Sequence, residues 1–123
     1  MQQFHYFLYF LVFIIAMADL QAKDKDEDQK CVQPAAVPAV PDGRRSSASE
    51  MKAAMHLIKD YLAKNADFRQ CVQKLLKEQA ETLSASAKLG AQQLINEAYE
   101  TDQLLSELFN QQVRTYKNRN SVD

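Results

Sequence analysis

The chain has 123 residues, with 15 Lys and Arg, 16 Asp and Glu, and a formal net charge of −1. This balance does not favour nucleic acid or an anionic membrane surface as a partner. With only 2 Gly, 3 Pro and no Trp, and with many strong helix formers in its second half, the composition predicts one small all-α domain.

The N-terminus has the layout of a secretory signal peptide. An uncharged apolar stretch runs from Phe7 to Ala18 and ends in Ala16-Met17-Ala18, a motif typical of signal peptidase sites. Because a membrane-spanning helix needs about 20 apolar residues, we predict cleavage after Ala18, with Ala22 as the alternative site, and a periplasmic or secreted protein. No Lys or Arg precedes the stretch, so an uncleaved anchor is the alternative, and membrane contact is expected only through it.

Two segments without helical periodicity follow the signal peptide. Residues 19–30 are polar and charged, which predicts a disordered leader. Residues 31–46 hold all three prolines and predict an extended Pro-rich N-terminal strap. The strap ends in Pro41-Asp42-Gly43, which predicts a turn with an Asx hydrogen bond from Asp42 and a glycine that is free to adopt a positive φ.

Residues 47–118 carry the helical pattern. Ser47 and Glu50 have the spacing of a capping box, which predicts that a helix begins there. The first apolar stripe comprises Met51, Ala54, Met55, Ile58, Tyr61 and Leu62. We predict a break at 64–67, because the Asn in this segment tolerates a left-handed conformation and the Asp could cap a new helix.

A second helical stretch, from Phe68, reaches a segment of small residues that ends in Gly90. Either Gly90 terminates a helix, or one long helix continues through the small residues. We favour the long, bent helix, because no Pro or second Gly supports a reversal. The predicted architecture is a helical hairpin or an irregular three-helix bundle.

The last helix has a wide apolar stripe formed by Leu94, Ile95, Ala98, Leu104, Leu105, Leu108, Phe109, Val113 and Tyr116. Such a stripe is typical of a core face, but one short neighbouring helix can cover it only in part. We therefore predict association with a second copy or with a helical partner protein. The candidate interaction face comprises Leu105, Phe109, Asn110, Val113, Arg114 and Tyr116.

Cys31 and Cys71 are the only cysteines, and in an exported protein such a pair predicts a disulfide. Closing a loop of this length contributes about 4 kcal/mol in the chain-entropy model. Free or regulatory thiols and a metal site are the alternatives. Neither a Cys-x-x-Cys motif nor a nearby set of His ligands supports them.

Residues that would carry catalysis are scarce. His56 is the only histidine after the signal peptide, and neither a Glu-x-x-His pair nor a glycine-rich phosphate loop is found. We therefore predict a non-enzymatic protein with no catalytic residues, no cofactor and no metal. Two alternatives remain: an enzyme accessory or weak hydrolase that uses Asn110, Arg114 and Tyr116, and a membrane-active amphipathic protein.

Several short motifs, taken together, resemble a recurring pattern in small exported helical proteins of Gram-negative bacteria. These are Pro41-Asp42-Gly43, Ala48-Ser49-Glu50-Met51, Lys59-Asp60-Tyr61, the aromatic-x-x-Cys of Phe68 to Cys71, and Phe109-Asn110-Gln111-Gln112-Val113-Arg114-Thr115-Tyr116-Lys117. The resemblance covers residues 31–118, while the charged stretch before Cys31 departs from it. It implies a helical protein of the bacterial envelope, with an interaction or structural role and no activity to transfer.

Overall fold

The computed structural model describes residues 30–121, and the predicted signal peptide and nearly all of the charged leader lie outside them. The described residues form two helices, α1 (Ala48–Glu78) and α2 (Ala85–Asn120), without a strand. The all-α prediction is confirmed. Later residues of α1 contact earlier residues of α2, so the two helices form an antiparallel hairpin, and no third helix is present among the described residues.

The first helix begins where the sequence predicts. The Ser47 hydroxyl accepts the Glu50 N–H at 3.2 Å, and the Glu50 carboxylate accepts the Ser47 N–H at 2.6 Å. The hydrogen bond from the Ser47 backbone N–H favours the ionised carboxylate and is the main cause of a lowered Glu50 pKa, with the Ser47 side chain as a smaller cause. The capping box is therefore complete.

The predicted break at 64–67 is wrong, because α1 continues through this segment. The side chain of Asn65 is buried and donates hydrogen bonds to α2, at 3.0 Å to the Ala98 carbonyl and 2.7 Å to Asp102. An Asn side chain that bonds across to another helix does not compete for its own backbone, so the helical hydrogen bonds are retained.

The prediction of one long helix is also wrong, because the chain reverses between Gln79 and Ser84. The Leu83 N–H donates to the Gln79 carbonyl at 3.0 Å, and the Ser84 hydroxyl caps α2 by accepting the Ala87 N–H at 3.2 Å. Every non-Gly residue described has a negative φ, so this reversal needs no glycine. Gly90 lies inside α2 and does not terminate a helix.

Residues 31–47 contain neither helix nor strand. At their end Asp42 makes the expected Asx hydrogen bond, since its Oδ1 accepts the Arg44 N–H at 2.9 Å. Gly43 does not use its freedom to adopt a positive φ. It is buried against α2, where its N–H donates to Gln112 Oε1 at 2.9 Å. The glycine therefore serves a close approach of backbone to backbone.

The core consists of two groups of buried side chains. The turn-side cluster comprises Phe68, Val72, Ile95 and Ala98, with Cys31, Leu76 and Ala91 packed against it. The open-end cluster comprises Ile58, Tyr61 and Leu105, with Val40, Leu62 and Phe109 packed against it. Because Cys31 and Val40 belong to different clusters, the strap runs along the hairpin and adds to its core at both points.

The open end of the hairpin is closed by Arg119, near the C-terminus of α2. Its guanidinium donates to the carbonyl of Arg44 at 2.6 Å and to that of Ser46 at 3.0 Å. These bonds join the last turn of α2 to the segment that leads into α1. Within residues 30–121, neither helix is apolar enough to cross a membrane.

Candidate interaction surface

The predicted interaction face is divided between core and solvent. Leu105 is 3% exposed and belongs to the open-end cluster, against which Phe109 is half-buried. Asn110 and Arg114 are exposed, whereas Val113 is half-buried. Leu105 is therefore a core residue, while the other five residues of the face are half-buried or exposed.

The polar residues proposed for a hydrolytic site do not interact. Tyr116 is half-buried and lies under the guanidinium of Arg119, 5.0 Å from the ring centroid. Among the described residues, no hydrogen bond or ion pair joins Asn110, Arg114 and Tyr116. The aromatic ring instead supports the arginine that closes the open end.

Cys31 and Cys71 form a disulfide with a Cα–Cα distance of 5.6 Å across a sequence separation of 40 residues. The bond joins the start of the strap to α1 beside the turn-side cluster. Such a bond is compatible with an oxidising compartment. The alternatives of free thiols or thiolate ligands do not apply to this structure, in which neither cysteine is free.

The only histidine in the described range is exposed on α1. His56 lies apart from both buried clusters. Within residues 30–121, no group of three or more His, Cys, Asp and Glu side chains is arranged to hold a metal ion.

A polar cluster that the sequence reading missed lies between the two apolar clusters. Asp102 accepts hydrogen bonds from the buried Asn65, through Oδ1, and from the guanidinium of Arg69, through Oδ2. The same guanidinium stacks over the ring of Tyr99, 4.2 Å from its centroid. Burial, with the negative charge of Asp102 as a smaller cause, raises the pKa of Tyr61. These directional contacts join α1 to α2 between the two apolar clusters.

One signal in the sequence could have revealed this cluster. Asn65 falls at a seven-residue spacing with Met51, Ile58 and Val72, so it occupies a core position of α1 and not a helix end. A polar residue at such a position is a known means of specifying helix register. Asp102, in contrast, carries no comparable sign in the sequence, since it is one of several acidic residues in α2.

Three exposed leucines of α2 share one side of the helix, and we call them the leucine flank: Leu94, Leu104 and Leu108 are 40%, 59% and 41% exposed, while Leu89, which is 71% exposed, and Tyr99, which is 50% exposed, lie on other sides. At about 100° per residue they lie within an arc of about 80° on one side of the helix. Gln112 projects on the same side, where it accepts the Gly43 N–H, so the leucine flank borders the strap. The nine-residue stripe is thus too wide for α1 and the strap to cover.

A row of charged residues lies beside the leucine flank, away from the strap. Glu100, Glu107 and Arg114 follow one another at intervals of seven residues and are exposed. Within residues 30–121, none of these three side chains forms an ion pair. The surface therefore combines exposed leucines with charges of both signs in a defined order.

No family model matches the chain, and no match was found among curated proteins or solved structures. The resemblance described from the sequence therefore stays a prediction.

Proposed function

We propose that this chain is a non-enzymatic, exported helical protein that serves as an interaction or structural module of the bacterial envelope. The observation that carries the proposal is the leucine flank of α2. Leucines at three positions on one side of a well-braced helix keep much of their apolar surface in water, and a partner that covers them gains from its burial. Such exposure is typical of interaction surfaces.

Two further features support the proposal. The disulfide suits an oxidising compartment, and the apolar N-terminal segment with its Ala-x-Ala motif supports export. The resemblance to exported helical proteins of Gram-negative bacteria supports a location in the bacterial envelope. If export occurs as proposed, mass spectrometry of the exported protein finds Asp19 as its first residue.

The experiment that tests the interaction function is photo-crosslinking in the producing cell. A photoreactive amino acid replaces Leu104 in one strain and His56 in a control strain, because His56 is exposed on α1. We expect covalent adducts, either with a second copy or with another protein, from position 104 and none from position 56. If position 104 gives no adduct in an exported, folded protein, the proposal is refuted.

The membrane-active alternative has one observation in its favour, the same exposed leucines. The carboxylates of Glu97, Glu100 and Glu107 lie on that side of α2, however, and anionic lipid would repel them. We therefore expect no cosedimentation of the protein with anionic vesicles. Binding that is lost when Leu104 is replaced by Ser would instead favour the membrane function.

A further inference from the structure

We propose that the leucine flank binds a second copy of this chain, so that two α2 helices pair antiparallel and two hairpins form a four-helix dimer. This inference rests on the proposed interaction function and names its partner. The order of the central leucines and of the charged residues Glu100 and Arg114 along α2 is complementary to itself when the helix is reversed.

The three leucines, together with Thr101, have the spacing of a helix-pairing seam. Leu94, Thr101 and Leu108 are seven residues apart, and Leu104 lies between the last two at an interval of three and four. Residues with this alternating spacing keep facing a partner helix in coiled-coil packing. The other positions at this spacing are polar, namely Glu97, Gln111, Thr115 and Asn118, so the apolar part of the seam is confined to Leu94–Leu108, about 21 Å at the rise of an α-helix.

A twofold axis through the middle of this seam brings the leucines together. If the axis passes the helix at residue 106, Leu104 faces Leu108 of the second copy, and Leu108 faces the second copy's Leu104. Four leucines that are about half exposed in the single chain then form one apolar centre. The interface is isologous, as in most symmetric dimers.

The charged row fits the same axis. Glu100 and Arg114 lie symmetrically about residue 107, within one residue, or about 1.5 Å, of the leucine midpoint. In the antiparallel pair each Glu100 therefore lies opposite Arg114 of the other copy, which gives the dimer two equivalent ion pairs. Among the described residues, neither Glu100 nor Arg114 has an ion-pair partner within the single chain.

Two acidic residues oppose this pairing: Glu97, which lies on the leucine side of α2, and Glu107. The effect is expected to be larger for Glu107. This residue lies near the axis, where it faces Glu107 of the second copy, and two carboxylates in that position repel one another. This predicts that replacing Glu107 with Gln strengthens the dimer, in contrast to the loss expected for most changes in an interface.

The test is a charge swap followed by sedimentation equilibrium on the exported, disulfide-bonded protein. We expect the wild type to dimerise, and Glu100→Arg or Arg114→Glu alone to weaken the dimer by about tenfold or more, because like charges then meet twice. The combined variant Glu100→Arg/Arg114→Glu restores the wild-type affinity. Both residues are exposed, so circular dichroism and thermal melts at low concentration should show an unchanged fold.

A second pair of variants tests the apolar centre. Leu104→Ser/Leu108→Ser should be monomeric, whereas Leu57→Ser, at a position 63% exposed on α1, should dimerise as the wild type does. A monomeric wild type, a dimer that survives in Leu104→Ser/Leu108→Ser, or a charge swap that fails to restore association overturns the proposal. If the wild type is monomeric but crosslinks to another protein from position 104, only the dimer is refuted and the interaction function stands.

Discussion

Gly43 shows how a single backbone position determines the fit between the strap and α2. A Cβ at this position would overlap the Gln112 carbonyl oxygen and lie 3.0 Å from the Tyr116 nitrogen. Both atoms belong to the helix backbone and cannot rotate away. We expect Gly43→Ala to lower the free energy of unfolding by about 1–3 kcal/mol, the usual cost of overpacking, in denaturant unfolding.

Gly90 supplies the matched control for that substitution. No atom lies within 4 Å of a Cβ built at Gly90, which is exposed inside α2. Gly90→Ala should therefore raise the free energy of unfolding by about 0.5–1 kcal/mol, because it only removes the entropic penalty of a helical glycine. Equal effects of the two substitutions would contradict the close approach that we assign to Gly43.

Asn65 and Asp102 form a polar contact that joins the two helices. Asn65 is 1% exposed, and its loss leaves both the Asp102 carboxylate and the Ala98 carbonyl short of a donor. We expect Asn65→Ala to cost about 1–3 kcal/mol, the penalty of an unsatisfied buried polar group. In a double-mutant cycle with Asp102→Ala, a coupling above about 0.5 kcal/mol is expected for residues in one hydrogen-bond network. Strict additivity would show that they act independently.

At the scale of the helices, the sequence predicted structure correctly where the hydrogen bonds join residues that are close in sequence. The capping box at Ser47 and the Asx turn at Asp42 each involve residues two or three apart, and both are found in the structure. The reversal before α2 was missed because it lacks Gly and Pro, and because Ala87, at the third helical position, cannot complete a capping box with Ser84. Asn65 was misread because its partners lie in the other helix.

Replacing Phe109 tests how α2 holds the strap and α1 together. It packs against the open-end cluster, to which Val40 of the strap also belongs. Because Phe109 is only half-buried, we expect Phe109→Ala to cost somewhat less than the roughly 3–5 kcal/mol of a fully buried phenylalanine. Association of the folded variant should persist.

Leu104→Ala is the matched variant for Phe109→Ala, since it lies on the exposed side of the same helix. It should melt close to the wild type at low concentration but lose association. A Phe109→Ala variant that melts normally and fails to associate would show that Phe109 contacts a partner and not the core. The two variants thereby separate the residues that stabilise the hairpin from those that bind.

At the scale of the whole molecule, the sequence predicted a surplus of apolar surface but not its position. A stripe of nine residues on α2 exceeds what one helix can cover, which follows from width alone. The side of the stripe that is left exposed depends on the direction of the strap. The disulfide holds the start of the strap on α1, and the Gly43 contact holds its end on α2. Helical periodicity predicts neither contact.

The disulfide also stabilises the whole molecule, and its effect should differ between the two ends of the strap. It should be large near Cys31 and small beyond Val40. Reduction frees the chain at Cys31, but Val40 stays in the open-end cluster and Gly43 and the Arg119 contacts still hold the following residues. We therefore expect reduction to lower the melting temperature. The loss of stability should be smaller than the roughly 4 kcal/mol that the chain-entropy model predicts. Hydrogen exchange should increase at residues 32–39 and remain slow in α2. An unchanged melting temperature, with both thiols shown to be reduced, would mean that packing alone holds the strap, and faster exchange throughout α2 would mean that the hairpin itself depends on the bond.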